Sequence, residues 1–151
     1  MRRLAAAVAL VLAPLTVIAD EAPLPEVATA LARIKDRSSI ELTTIGRTTG
    51  REHTKPIWFV VADGKILVQS GKGGKTDWYA NLRKTPAVVV RQGEYTFRAR
   101  AVPVTDQRAI DRIHQLFLEK YLTAKLLSFV GSSIGRGSPV ELTPIAVAVQ
   151  H

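Results

Sequence analysis

The sequence contains no cysteine, a single methionine and nine aromatic residues among 151. Without cysteine there is no disulfide, no thiolate metal ligand, no cysteine nucleophile and no lipid-anchored N-terminal cysteine. Only three histidines are present, His53, His114 and His151. They lack metal-ligand spacing and no HExxH occurs, so no metal site is expected. A GxSxG nucleophile elbow is missing too. Paired carboxylates such as Glu94 and Asp106 show no spacing that would support glycosidase chemistry. Acidic residues are the scarcer charge, 13 against 21 basic, for a net charge of +8. That balance favours anionic partners: phosphate-bearing cofactors, nucleic acid or acidic membrane surfaces.

What is present begins with an apparent leader. Arg2 and Arg3 precede a charge-free run from Leu4 to Ala19, and Val17 and Ala19 stand at −3 and −1 of a cleavage site before Asp20. This is the pattern of a secretory signal peptide, so residues 1–19 are expected to be removed and the protein exported to the periplasm or beyond. The run is short for a membrane span of about 20 residues, and the alternative is an uncleaved N-terminal anchor. Removing Arg2 and Arg3 from the 21 basic side chains leaves 19 against 13 acidic ones, so the mature domain stays basic.

Residues 20–38 read as a linker with Pro23 and Pro25, then a short amphipathic helix over residues 26–36. Residues 39–151 read as one domain. Strands are expected at 39–45, 54–61, 65–70, 87–91, 94–104 and 140–149, from period-2 alternation and β-branched residues. Asp63-Gly64 between apolar runs is a strong hairpin signal. A short helix over DWYANLRK ends at Pro86, and a long one spans residues 106–130. Hairpin connections dominate, and the helix after every strand that a parallel sheet needs is missing. The expected fold is therefore α+β, mainly β: about six antiparallel strands, closed or nearly closed, with flanking helices.

Two glycine-bearing segments carry chemistry. Gln69 to Thr76 (QSGKGGKT) joins a strand to a helix. Its glycines let backbone N–H groups approach an anion, and the helix start adds partial positive charge. Ser70, Lys72, Lys75 and Thr76 add donors. Gln69 stands where a nucleotide P-loop needs its first glycine, so a nucleoside triphosphatase is not expected. The turn GRTTGR, residues 46–51, adds the guanidiniums of Arg47 and Arg51, which match phosphate geometry. Together the two segments suggest jaws around one anionic ligand.

ELTTIGRTTGREHTKPIWFV, then SGKGGKTDWYANLRKTPAVVV and a strand ending FRARAV, resemble the deazaflavin-dependent nitroreductase and quinone reductase family over residues 39–104, with an echo at Glu141 to Pro144. The resemblance implies a split β-barrel of the FMN-binding, pyridoxamine-phosphate-oxidase type. It implies coenzyme F420, with FMN as the alternative, and hydride transfer to a quinone, nitro compound or similar small acceptor. By position, Ser70, Gly71, Lys72 and Gly73 would meet the phosphate or tail of the cofactor, as would Arg47 and Arg51. Lys55, Pro56 and Ile57 would lie along its ring. Trp78 and Asn81 would hold the loop. No catalytic side chain is implied, because the cofactor carries the reaction. His53 stands where an arginine is expected, and Asp77 where a proline is common. A homodimer and loose contact with a membrane surface are further expectations, and the small acceptor is the expected partner. The competing readings are a non-catalytic exported barrel that binds a small anionic or flavin-like ligand, and a basic nucleic-acid-binding protein. The second is disfavoured because aromatics do not interleave with the basic residues.

Overall fold

The strands form where the sequence alternates. In a computed structural model that describes residues 23–122 and 136–151, with the side chain of Lys72 left aside, the elements run α1 (Pro25–Ile34), β1 (Ile40–Ile45), β2 (Glu52–Ile57), β3 (Val60–Ala62), β4 (Lys65–Ser70), α2 (Asp77–Lys84), β5 (Ala87–Gln92), β6 (Tyr95–Pro103), α3 (Gln107–Tyr121) and β7 (Ser138–Val149). The seven strands form one antiparallel sheet in the order β2-β1-β5-β6-β7-β4-β3. The expected signal peptide, the end of the long helix beyond Leu122 and most of the loop 131–138 lie outside the described residues.

Seven strands appear where six were expected because the run 54–61 is broken. Trp58 and Phe59 leave the sheet, and the chain passes from β2 to β3. These two strands stand at opposite ends of the strand order. The Trp58–Phe59 step is therefore the seam at which the barrel is split.

Alternation sorts the side chains. Ile40 and Leu42 of β1, Ile66 and Val68 of β4, Val88 and Val90 of β5, Phe97 of β6 and Leu142 of β7 join one interior cluster. Helix α1 adds Val27, Ala30, Leu31 and Ile34 to it, at the i, i+3, i+4, i+7 spacing of one helix face. Leu67, between Ile66 and Val68, points the other way. It packs with Val60 against Ile113, Phe117 and Tyr121 of α3. Asp63 and Gly64 have φ of 52° and 71°, as a two-residue type I′ hairpin requires.

Helix α3 is started by Asp106, whose carboxylate accepts from Ala109 N at 2.9 Å. Its far end grips the seam. The Tyr121 hydroxyl accepts from Phe59 N at 2.9 Å and lies 2.7 Å from Phe59 O, and Lys120 Nζ donates to Phe59 O at 2.8 Å. Burial lowers the Lys120 pKa from its ordinary 10.5 to about 8, against the pull of Asp36. Burial also raises the Tyr121 pKa from 10.0 to about 12, against the backbone bond to Phe59. From pH 8 to 10.5 the unfolded chain holds a Lys120 proton that the folded chain has lost, so raising the pH stabilises the fold. From pH 10 to 12 the folded chain keeps a Tyr121 proton that the unfolded chain has lost, so raising the pH destabilises it. Urea denaturation of wild type and Lys120→Met should show the wild type gaining on the variant as pH rises from about 8 to about 10. A constant difference across that range would contradict the assignment.

Candidate functional site

A cleft of about 590 Å³ opens between the β1–β2 hairpin and the start of α2. It is lined by Gly46, Arg47, Thr48, Thr49, His53, Lys55, Pro56, Ile57, Lys75, Thr76, Asp77, Trp78 and Asn81. Arg47, Lys55 and Lys75 face one carboxylate, Asp77, so the cleft is net positive.

The turn after β1 is closed by its own backbone: Gly46 N donates to Arg51 O at 2.7 Å and Gly50 N to Gly46 O at 2.9 Å. Gly46 is needed for space. A Cβ there would come within 2.5 Å of Thr49 Oγ1 and 2.8 Å of His53 Nε2. Asn81 fastens this turn to α2. Its Oδ1 accepts from Arg47 N at 3.1 Å and from Arg47 Nη1 at 3.0 Å, and its Nδ2 donates to Thr44 Oγ1 at 3.3 Å. Asn81 and Thr44 are both buried. Lys84 Nζ donates to Arg47 O at 2.7 Å. Asp77, out of place by the family pattern, forms an ion pair with Arg47 at 3.1 Å. Its charge is thus met by a guanidinium rather than left facing the cleft alone.

The second glycine segment sits beside this cleft. Ser70 is buried, and its hydroxyl shares a hydrogen bond with Thr76 Oγ1 and donates to Gly71 O. With its hydroxyl engaged at Ser70, Thr76 makes no side-chain cap on α2. Thr76 therefore offers the first N–H groups of α2 no side-chain acceptor, and Thr76, Asp77 and Trp78 line the cleft. Gly73 is exposed with φ of 62°, and open space lies where a Cβ would be, so backbone can approach a ligand there. Gly74, with φ of 76°, is packed instead against Ser138 and Tyr79.

Of the residues singled out from the sequence, Arg47, Lys55, Pro56, Ile57, Trp78 and Asn81 come together on this cleft. Ser70 lies beneath the loop, and Gly71, Gly73 and Arg51 are not among the lining residues. Trp78 serves two ends, packing on the interior cluster and lining the cleft. Sequence reasoning passed over the Arg47–Asp77 pair and the Tyr121–Lys120 hold on the seam. Asp77 carried a signal, since its offset from Trp78 puts it in the first turn of α2. Tyr121 carried none beyond being a late aromatic on a helix.

Residues 25–124 match the family model described as F420H(2)-dependent quinone reductase. The chain belongs to the F420H(2)-dependent quinone reductase family. Of the two cofactors left open by the sequence, the family match names coenzyme F420, and the chain is an F420-dependent oxidoreductase. Solved structures are similar in fold. A conserved hypothetical protein of Mycobacterium tuberculosis is 23% identical, with a TM-score of 0.62 over 79% of this chain and 81% of its own. A structure described as an F420-H2 dependent reductase is 23% identical, with a TM-score of 0.54 over 70% of this chain and 93% of its own. A pyridoxamine 5'-phosphate oxidase candidate from Listeria innocua is 14% identical, with a TM-score of 0.61 over 82% of this chain and 97% of its own. The split barrel expected from the resemblance is the fold of this family member.

The residues present fit such a coenzyme, a flat deazaflavin ring with an anionic, phosphate-bearing tail. The apolar surfaces of Pro56, Ile57 and Trp78 offer a wall for a ring. Arg47, Lys75 and the uncapped start of α2 offer charge and donors for a tail. The open face at Gly73 leaves room for its approach.

Proposed function

We propose that this cleft binds coenzyme F420 and that the chain passes reducing equivalents from it to a quinone-class or nitro acceptor. When bound and reduced, the coenzyme supplies a hydride. The observation that carries the reading is the convergence on one cleft of Arg47, Lys55 and Lys75, the uncapped start of α2 and the edge strand β2. Arg47 and Lys75 hold anionic oxygens of the tail. Lys55, Pro56 and Ile57 set the ring against the strand, and Trp78 closes the far side and excludes water. Orientation is the protein's whole contribution, so no side chain has to move a proton.

The test is fluorescence titration of the full chain with coenzyme F420 and, in parallel, with FMN, followed by turnover of reduced coenzyme with a soluble quinone. Saturable binding of coenzyme F420 and quinone-dependent oxidation are expected. FMN binding in its place, or no binding of either, would overturn the reading. Binding without turnover of any quinone or nitro acceptor would favour the non-catalytic binding module. Export is proposed separately, on the run from Leu4 to Ala19, and N-terminal sequencing of the protein from culture checks it: a start at Asp20 is expected.

A further inference from the structure

β2 has little to hold it. Its residues are exposed from Glu52 to Pro56, with only Ile57 half-buried, and it pairs with β1 alone. Yet Lys55, Pro56 and Ile57 line the cleft. The register pairs Ile57 with Ile40, so the open end of the β1–β2 hairpin lies beside Ser38 and the seam.

At that end stands Tyr121. Its hydroxyl lies 2.9 Å from Phe59 N, 2.7 Å from Phe59 O and 2.9 Å from Ser38 O. A phenol has one proton and donates to one carbonyl at a time. Lys120 Nζ, 2.8 Å from Phe59 O, gives that carbonyl a donor of its own and frees the Tyr121 proton for Ser38 O. Trp58 stacks on the Tyr121 ring with centroids 5.0 Å apart, and Lys120 Nζ sits 3.8 Å from the Phe59 ring centroid. One side chain therefore ties Phe59, at the seam, to Ser38, two residues before β1. Only Trp58 separates Phe59 from Ile57, a reach of about 7 Å at full extension.

We propose that Tyr121, assisted by Lys120, is a positioning residue for β2, and through it for the coenzyme wall at Lys55–Ile57. Tyr121 does not line the cleft and touches no reacting atom. It fixes the open end of the hairpin, as Asn81 fixes the turn end. The proposal rests on the reading of the cleft as the coenzyme site.

Tyr121→Phe tests it, because it removes the hydroxyl and keeps the ring. Ile113→Val, in the same α3 cluster, is the control for lost packing alone. Two quantities are read: amide hydrogen exchange of the coenzyme-free chain at Phe59 and along β2, and the dissociation constant for coenzyme F420. In Tyr121→Phe, exchange at Phe59 and in β2 should quicken by about tenfold beyond the global change, and the dissociation constant should rise by about tenfold. Ile113→Val should lower the melting temperature and move neither quantity. Wild-type exchange and affinity in Tyr121→Phe, or the same shifts in Ile113→Val, would overturn the proposal. Failure of the wild type to bind coenzyme F420 would sink the functional reading, while the exchange data would still decide whether Tyr121 holds β2.

Discussion

Replacing Asn81 with leucine should cost about 3 kcal/mol of stability and most of the coenzyme affinity together. Leucine keeps the branched outline of asparagine but is bulkier, so the hydrogen bonds are lost and some overpacking is added at this buried position. Two groups are left without partners, Arg47 N and the buried Thr44 hydroxyl, at about 1–3 kcal/mol each. The Arg47 side chain, half-exposed, can turn to water and is not part of that cost. Without Asn81, Lys84 at Arg47 O and the exposed Asp77 pair remain to hold the 46–51 turn on α2. Urea denaturation measures the first effect and coenzyme titration the second. Asn81→Asp is the informative contrast: both of its oxygens accept, and the Thr44 hydroxyl can rotate to donate to one of them. It should keep most of the stability. A loss in Asn81→Asp as large as in Asn81→Leu would show that acceptance from Arg47 does not hold the site.

The double variant Arg47→Ala, Lys75→Ala should weaken coenzyme F420 binding by about 100-fold with little loss of stability. A hydrogen bond to a charged group contributes about 1.5–3 kcal/mol, and two such contacts reach that factor even after competition from Asp77 and water. Both cations sit at the cleft rim, and the Arg47–Asp77 ion pair is exposed, so the fold does not depend on it. The affinity of the wild type should also fall as salt is raised, and that slope should flatten in the variant. Wild-type affinity in the double variant would move the anionic tail elsewhere, toward the Gly71–Gly73 segment.

Much of this architecture is legible in the chain. Alternation at 39–45 and 65–70, the Asp63-Gly64 turn and the DWYANLRK helix all appear where local pattern puts them. Those features depend on neighbours a few residues apart, and short-range sterics and hydrophobic period decide them. The run 54–61 misleads for the same reason. Its apolar, β-branched content is that of one strand, but the chain must leave one edge of the sheet and enter the other, and Trp58 and Phe59 make that crossing. Asp77 misleads in a second way. Read alone it is a charge against an anionic ligand, and only the approach of Arg47, thirty residues earlier in the chain, gives it a partner.

The sequence by itself determined most of the strands, the family and the set of residues able to meet an anion, because composition, period and motif order are carried by the chain. The tertiary structure alone decided which of those residues share a cleft. Arg47, Lys55 and Trp78 are gathered there, while Ser70 turns inward to Thr76. It also decided that the turn of the β1–β2 hairpin meets Asn81, and that Tyr121 bridges Ser38 and Phe59 at the seam. Contacts between residues 34 to 83 positions apart depend on how the sheet closes. Local pattern carries no record of that closure, since many registers would satisfy it equally and only packing of the whole core selects one.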